Sequence, residues 1–80
     1  MTLSELPSDG EQIEERFQRI EKLSGDRILV ARLRELGFIS GELVRVVGRA
    51  PFGEPILVEI RGATIALRKE EAACVHLWKA

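Results

Sequence analysis

The sequence predicts a mainly β domain with one or two short helices, closed as a small barrel. Three observations lead there. Short β-branched segments recur near residues 43–47, 56–61, 65–67 and 75–77. Connections rich in glycine and proline separate them, which is how strands are punctuated. Eighty residues suffice for one domain only, and closing a sheet of short strands removes edges that would otherwise aggregate. The whole chain, 1–80, is therefore expected to be a single domain, with a short N-terminal segment over 1–11 and the barrel over about 12–78.

The elements follow in order. Leu3 and Leu6 are apolar anchors in the opening segment, and Pro7–Gly10 reads as a turn. Residues 12–23 carry two readings. Ile13, Phe17 and Ile20 are spaced by four and then three, a helical stripe. The aromatic and β-branched residues, and the barrel's need for a first strand, point instead to a strand over about 14–22. Ser24-Gly25-Asp26 is a turn that doubles as a helix N-cap. Leu29, Leu33 and Leu36 then share one helical face, with Arg27, Arg34 and Glu35 toward solvent. Gly37 stands where a left-handed terminator belongs, so the helix should span about 26–36.

After Gly37 the period changes. Leu43–Val47, bounded by Gly41 and Gly48, reads as a strand. Ala50-Pro51-Phe52-Gly53-Glu54-Pro55 is a loop. Ile56, Val58 and Ile60 alternate with Leu57, Glu59 and Arg61, marking a half-buried strand. Arg61-Gly62-Ala63 is a tight turn, and Ile65 and Leu67 mark the next strand. Arg68–Ala73 fits one helical turn, and Val75 and Leu77 give a closing strand.

Composition narrows the function. Hydrophobic residues make up 45% of the chain, enough for a packed core. Twelve basic and 13 acidic residues leave a net charge of −1, without the basic excess of a phosphate-backbone binder. With three Phe, one Trp and no Tyr, little is available to stack on bases, so no nucleic acid partner is expected. The N-terminus lacks a basic and apolar leader pattern, and no stretch is apolar enough for a membrane span. A lone cysteine fits a reducing compartment. A cytoplasmic protein with no direct membrane insertion is expected; the oligomeric state is open.

No catalytic set emerges, so the chain reads as no enzyme and as needing no cofactor. The acidic pairs Glu14-Glu15 and Glu70-Glu71 are sequence neighbours whose side chains diverge, and they read as solvated surface. No phosphate-cradling glycine motif occurs. Cys74 and His76 are the metal-ligand candidates. Two apart on a strand they share a face, yet a structural zinc site takes four ligands. The plainer reading makes Cys74 a packing residue and His76 an edge residue. Phe52, at a loop tip, is an apolar side chain that either folds back over the barrel mouth or meets a partner. Trp78 has the same two readings.

A longer pattern joins these pieces. Leu33-x-x-Leu36-Gly37-Phe38-x-x-Gly41 leads into Val44-x-Val46-Val47. Ala50–Pro55 follows, then Ile60-x-Gly62 and Ile65-x-Leu67-Arg68-x-x-Glu71-Ala72. In order and spacing this resembles the ferrous iron transport protein A family over about residues 29–78. The resemblance implies an SH3-like barrel with an inserted helix. It also implies a cytoplasmic role beside the bacterial membrane ferrous-iron transporter, ferrous iron transport protein B, which carries a GTPase domain. Pro51, Phe52, Gly53, Glu54 and Pro55, with Leu36 on the helix, are the expected partner-binding residues. The rival expectation is a metal-sensing or metallochaperone domain with Cys74 and His76 as ligands.

Overall fold

The computed structural model describes residues 1–5 and 17–78. The expected Pro7–Gly10 turn, Leu6, Ile13 and the start of the expected first strand lie outside the described residues. A 3-10 turn, Leu3–Glu5, precedes β1 (Gln18–Leu23), α1 (Arg27–Glu35), β2 (Leu43–Arg49), β3 (Ile56–Ile60), β4 (Ala63–Leu67), α2 (Lys69–Ala72) and β5 (Val75–Leu77). The strands form one antiparallel sheet in the order β4-β3-β2-β1-β5. The connection over residues 68–74, which contains α2, joins the two strands at the ends of that order.

The strand reading of the first segment holds, and the helical stripe does not. Ile20 is fully buried while Phe17 is 45% exposed. Residues three apart on an extended chain face opposite ways, so a spacing that mimics a helix is split between two faces. Arg45 lies over the Phe17 ring, 5.0 Å from its centroid, on the outer surface. β1 pairs with β2 near Gln18 and with β5 from Ile20 to Leu23, across an irregularity between Ile20 and Lys22. That shared strand bends the sheet around the core.

β2 runs further than its sequence boundary. Gly48 was expected to end it, but the ladder continues to Arg49 past a register shift between Val46 and Gly48. A Cβ at Gly48 would stand 3.4 Å from Leu57 Cδ1, so the strands approach closely there. The β3–β4 turn is also tighter than expected. Arg61 and Gly62 have φ of 52° and 84°, and Ala63 already pairs with Ile60. Two central residues with positive φ match the twist of a two-residue hairpin.

α1 is closed at both ends as its sequence directs. Asp26 accepts from the N–H groups of Ile28 and Leu29 at 2.9 and 3.1 Å. Gly37, at φ 106°, lets its N–H reach the Arg34 carbonyl and the Phe38 N–H reach that of Leu33, both at 3.0 Å. This double closure is the Schellman arrangement, and the apolar contact that accompanies it falls to Leu33 and Phe38, both fully buried. The buried face of α1 is Val30 and Leu33, with Leu29 packed partly against the core. Leu36, expected on that face, is the C-cap and is 41% exposed, because the chain leaves the helical path there.

The core is built from Ile20, Val44, Val46, Ile56, Val58, Ile60, Leu67, Val75 and Leu77 of the sheet, closed by Leu3, Leu33 and Phe38. Each such side chain stabilises the fold by about 1.5–3 kcal/mol relative to exposure. Among the described residues no helix is long and apolar enough to cross a membrane.

Candidate functional site

The loop between β2 and β3 is short and internally tied. The Gly53 N–H donates to the Ala50 carbonyl at 2.8 Å, closing a turn whose second position is Pro51. Proline presets φ for that position, and Gly53 takes φ of 97°. The Ala50 N–H donates to the Pro55 carbonyl at 3.1 Å, closing the base. Glu54 Oε1 accepts from the Lys69 N–H at 3.3 Å, fastening the loop to the start of α2. Pro51 and Pro55 are exposed, and Gly53 and Glu54 are half-buried.

Phe52 projects from this frame and is 96% exposed. Of its two readings, folding back over the barrel is excluded. A phenyl ring in water forgoes the stabilisation that burial confers, and a partner surface can supply it. Beside the loop root, Glu54, Pro55, Ala66, Leu67 and Arg68 line a groove of about 400 Å³. Trp78 is 53% exposed, with its backbone N–H bonded to the Arg19 carbonyl at 2.9 Å.

Leu36 is not part of this cluster. Gly37, next to it, faces Arg61, since a Cβ there would meet Arg61 Cδ at 3.6 Å. Arg61 follows β3, whereas Pro55 precedes it, and a strand rises roughly 3.3 Å per residue. The five residues of β3 therefore separate Leu36 from the loop. The helix beside the loop is α2, through Glu54 and Lys69. Ile28 in the first turn of α1 and Ile39 after Gly37 are likewise exposed.

Cys74 and His76 both abut the Ser24–Gly25 turn. Cys74 is 5% exposed, and its Sγ donates to the Glu70 carbonyl at 3.4 Å. Burial pushes the thiol's pKa up; the charges of Asp26 and Glu71 add to the rise, and a backbone hydrogen bond at Asp26 opposes it. A raised pKa keeps the sulfur protonated, whereas a metal ligand must be thiolate. His76 is half-buried, its Nε2 shares a 2.7 Å hydrogen bond with Ser24 Oγ, and it faces Lys22 across the ladder. Among the described residues no cluster of three or more His, Cys, Asp or Glu side chains is arranged to hold a metal ion.

One acidic residue departs from the sequence reading. Glu71, expected on the solvated surface with Glu70, is 6% exposed. Its Oε1 accepts from the Arg68 N–H at 2.8 Å, and its Oε2 lies 3.8 Å from Arg32. Burial of the carboxylate is matched by those two donors. The signal was present as a glutamate three residues after the N-cap position. On the outer sheet, Arg45 and Glu59 stand directly opposite and pair at 2.7–2.8 Å.

A family model described as the FeoA domain matches residues 1–77. The chain belongs to the FeoA family. It is 30% identical over 77 residues to the Fe(2+) transport protein A/Fe(2+) transporter FeoB fusion protein of Porphyromonas gingivalis (strain ATCC BAA-308 / W83). That match covers 96% of this chain but only 8% of the fusion protein. Among solved structures, Stenotrophomonas maltophilia FeoA complexed with zinc is 40% identical, with a TM-score of 0.77 over 96% of this chain and 88% of that one. That protein is described as a prokaryotic SH3 domain protein, which agrees with the bent five-stranded sheet seen here. Iron(II) transport protein A of Clostridium thermocellum is 34% identical, with a TM-score of 0.81 over 96% of this chain and 44% of that one. The FeoA family is thereby tied to ferrous iron transport, and in one relative the domain is joined to FeoB.

Proposed function

We propose that this FeoA domain is a non-enzymatic accessory of ferrous iron uptake that works in the cytoplasm. It binds the cytoplasmic GTPase part of a FeoB-type transporter and biases its conformations. The observation that carries this is Phe52, 96% exposed on a loop tied at three points. A rigid support lowers the ordering cost of docking an apolar anchor. The fusion relative supports the choice of partner, since it places the two domains in one chain. Pro51, Gly53, Glu54 and Pro55 frame the anchor; Leu36 belongs to a separate surface and would contribute only if the partner spans both.

Pull-down of the transporter's cytoplasmic domain with wild-type and Phe52→Ala proteins tests the reading. Capture by wild type and loss in the variant supports it. Equal capture removes Phe52 from the interface, and no capture by wild type overturns direct association.

A second reading comes from the zinc complex of the Stenotrophomonas relative. In it, Cys74 and His76 would take a transition metal ion. Calorimetric titration with Fe(II) and Zn(II) separates the two, because micromolar binding abolished by His76→Ala would favour the metal reading.

A further inference from the structure

The two ends of the sheet are treated differently. At the β5 end, Thr2 bridges to His76 and the Leu77 N–H donates to the Met1 carbonyl at 2.8 Å. At the β4 end, no described residue pairs with the outer side of the strand. Ile60 and Ala63 flank the two-residue turn and so form a hydrogen-bonded pair. Alternation then turns the N–H and C=O of Ala63, Ile65 and Leu67 toward β3. Those of Thr64 and Ala66, both exposed residues, point outward.

The charged residues that flank the strand itself are basic. Arg61 and Arg68 flank the strand, Lys69 follows, and no acidic residue lies between Ile60 and Lys69. Nearby carboxylates are engaged: Glu59 by Arg45 and Glu54 by the Lys69 N–H. The groove lined by Glu54, Pro55, Ala66, Leu67 and Arg68 continues from the edge, with the Glu54 carboxylate turned to the Lys69 N–H. A second copy is a poor occupant. Antiparallel pairing of two β4 edges would bring the basic residues that flank both strands, Arg61, Arg68 and Lys69, toward one another with no acidic residue between Ile60 and Glu70 to offset them.

We propose that the β4 edge is a strand-addition site for an extended acidic peptide. Thr64 and Ala66 continue the ladder by main-chain hydrogen bonds. Arg61 and Arg68 pair with carboxylates at the two ends, and a peptide side chain enters the groove. This goes beyond the transporter reading and does not depend on it.

The test titrates the ¹⁵N-labelled domain with an acetylated peptide of alternating Thr and Val ending in Glu at both ends, and with its Lys-ended counterpart. The acidic peptide is expected to shift the Thr64 and Ala66 amides saturably, with affinity falling as salt is added. Ala66→Pro removes one outward N–H, a change edge strands tolerate, and should weaken binding about tenfold. Arg61→Asp with Arg68→Glu should reverse the peptide preference; this arm stands even if the proline variant misfolds. Equal response to both peptides overturns the proposal, as do shifts that spare Thr64 and Ala66. Concentration-dependent shifts of those amides without peptide also overturn it, since they report pairing of two copies.

Discussion

Gly25 and Cys74 fit together because Gly25 has no side chain. A Cβ at Gly25 would lie 2.9 Å from Cys74 Sγ, and the glycine sits at φ of 128°. Two penalties therefore meet at one residue. Gly25→Ala is expected to destabilise the domain by about 1–3 kcal/mol from backbone strain alone, with the steric clash added. Adding Cys74→Ala should recover the steric share and leave the backbone share. Urea unfolding of the two single variants and the double measures both; strictly additive losses would show that the sulfur is not the obstacle.

Stability should also fall in alkali through the same sulfur. The thiol's ordinary pKa is 9.0 and its folded value is higher, so the unfolded chain ionises first. The stabilising difference is complete below pH 9.0 and is lost as pH climbs through the folded value. Wild type should lose more stability between neutral pH and pH well above 9.0 than Cys74→Ala does. Parallel slopes for the two proteins would refute the assignment.

The ends of α1 make a graded pair. Asp26→Ala removes the acceptor for two N–H groups and should cost about 1 kcal/mol. Leu33→Ala empties a fully buried position under the helix and should cost about 2–5 kcal/mol. Chemical denaturation ranks them, and the reverse order would mean that α1 is held by its cap rather than by its packing.

Phe52→Ala should leave folding stability within about 0.5 kcal/mol of wild type, because the ring touches solvent rather than core. The thermal midpoint checks this directly. A large drop would mean that the ring is buried in solution, and with it would go the argument for an exposed anchor.

Much of this architecture is legible in the sequence wherever local chemistry and periodicity agree. Asp26 and Gly37 bracket α1 because capping is a local property. The alternation of Ile56, Val58 and Ile60 marks β3 because one face of that strand meets the core. Phe17 and Ile20 mislead because a helical spacing and a two-faced strand give the same letters over so short a span. Glu71 is half legible: its place three residues after Arg68 marks the local hydrogen bond, while the approach of Arg32 from α1 comes from the fold. The loop holding Phe52 is recognisable from Pro51, Gly53 and Pro55, but its fastening to α2 through Glu54 and Lys69 comes from the fold. Leu36 was grouped with that loop because sequence motifs carry order and not distance.

The bond from Leu77 to Met1 and the bridge from Thr2 to His76 join the first residues to the last strand. Leu3, fully buried, is held in place by β5, the last of the five strands in chain order. On the ribosome, then, the emerging chain cannot seat Leu3 until β5 has left the exit tunnel. The barrel therefore completes itself as one late event, after every other strand has been made.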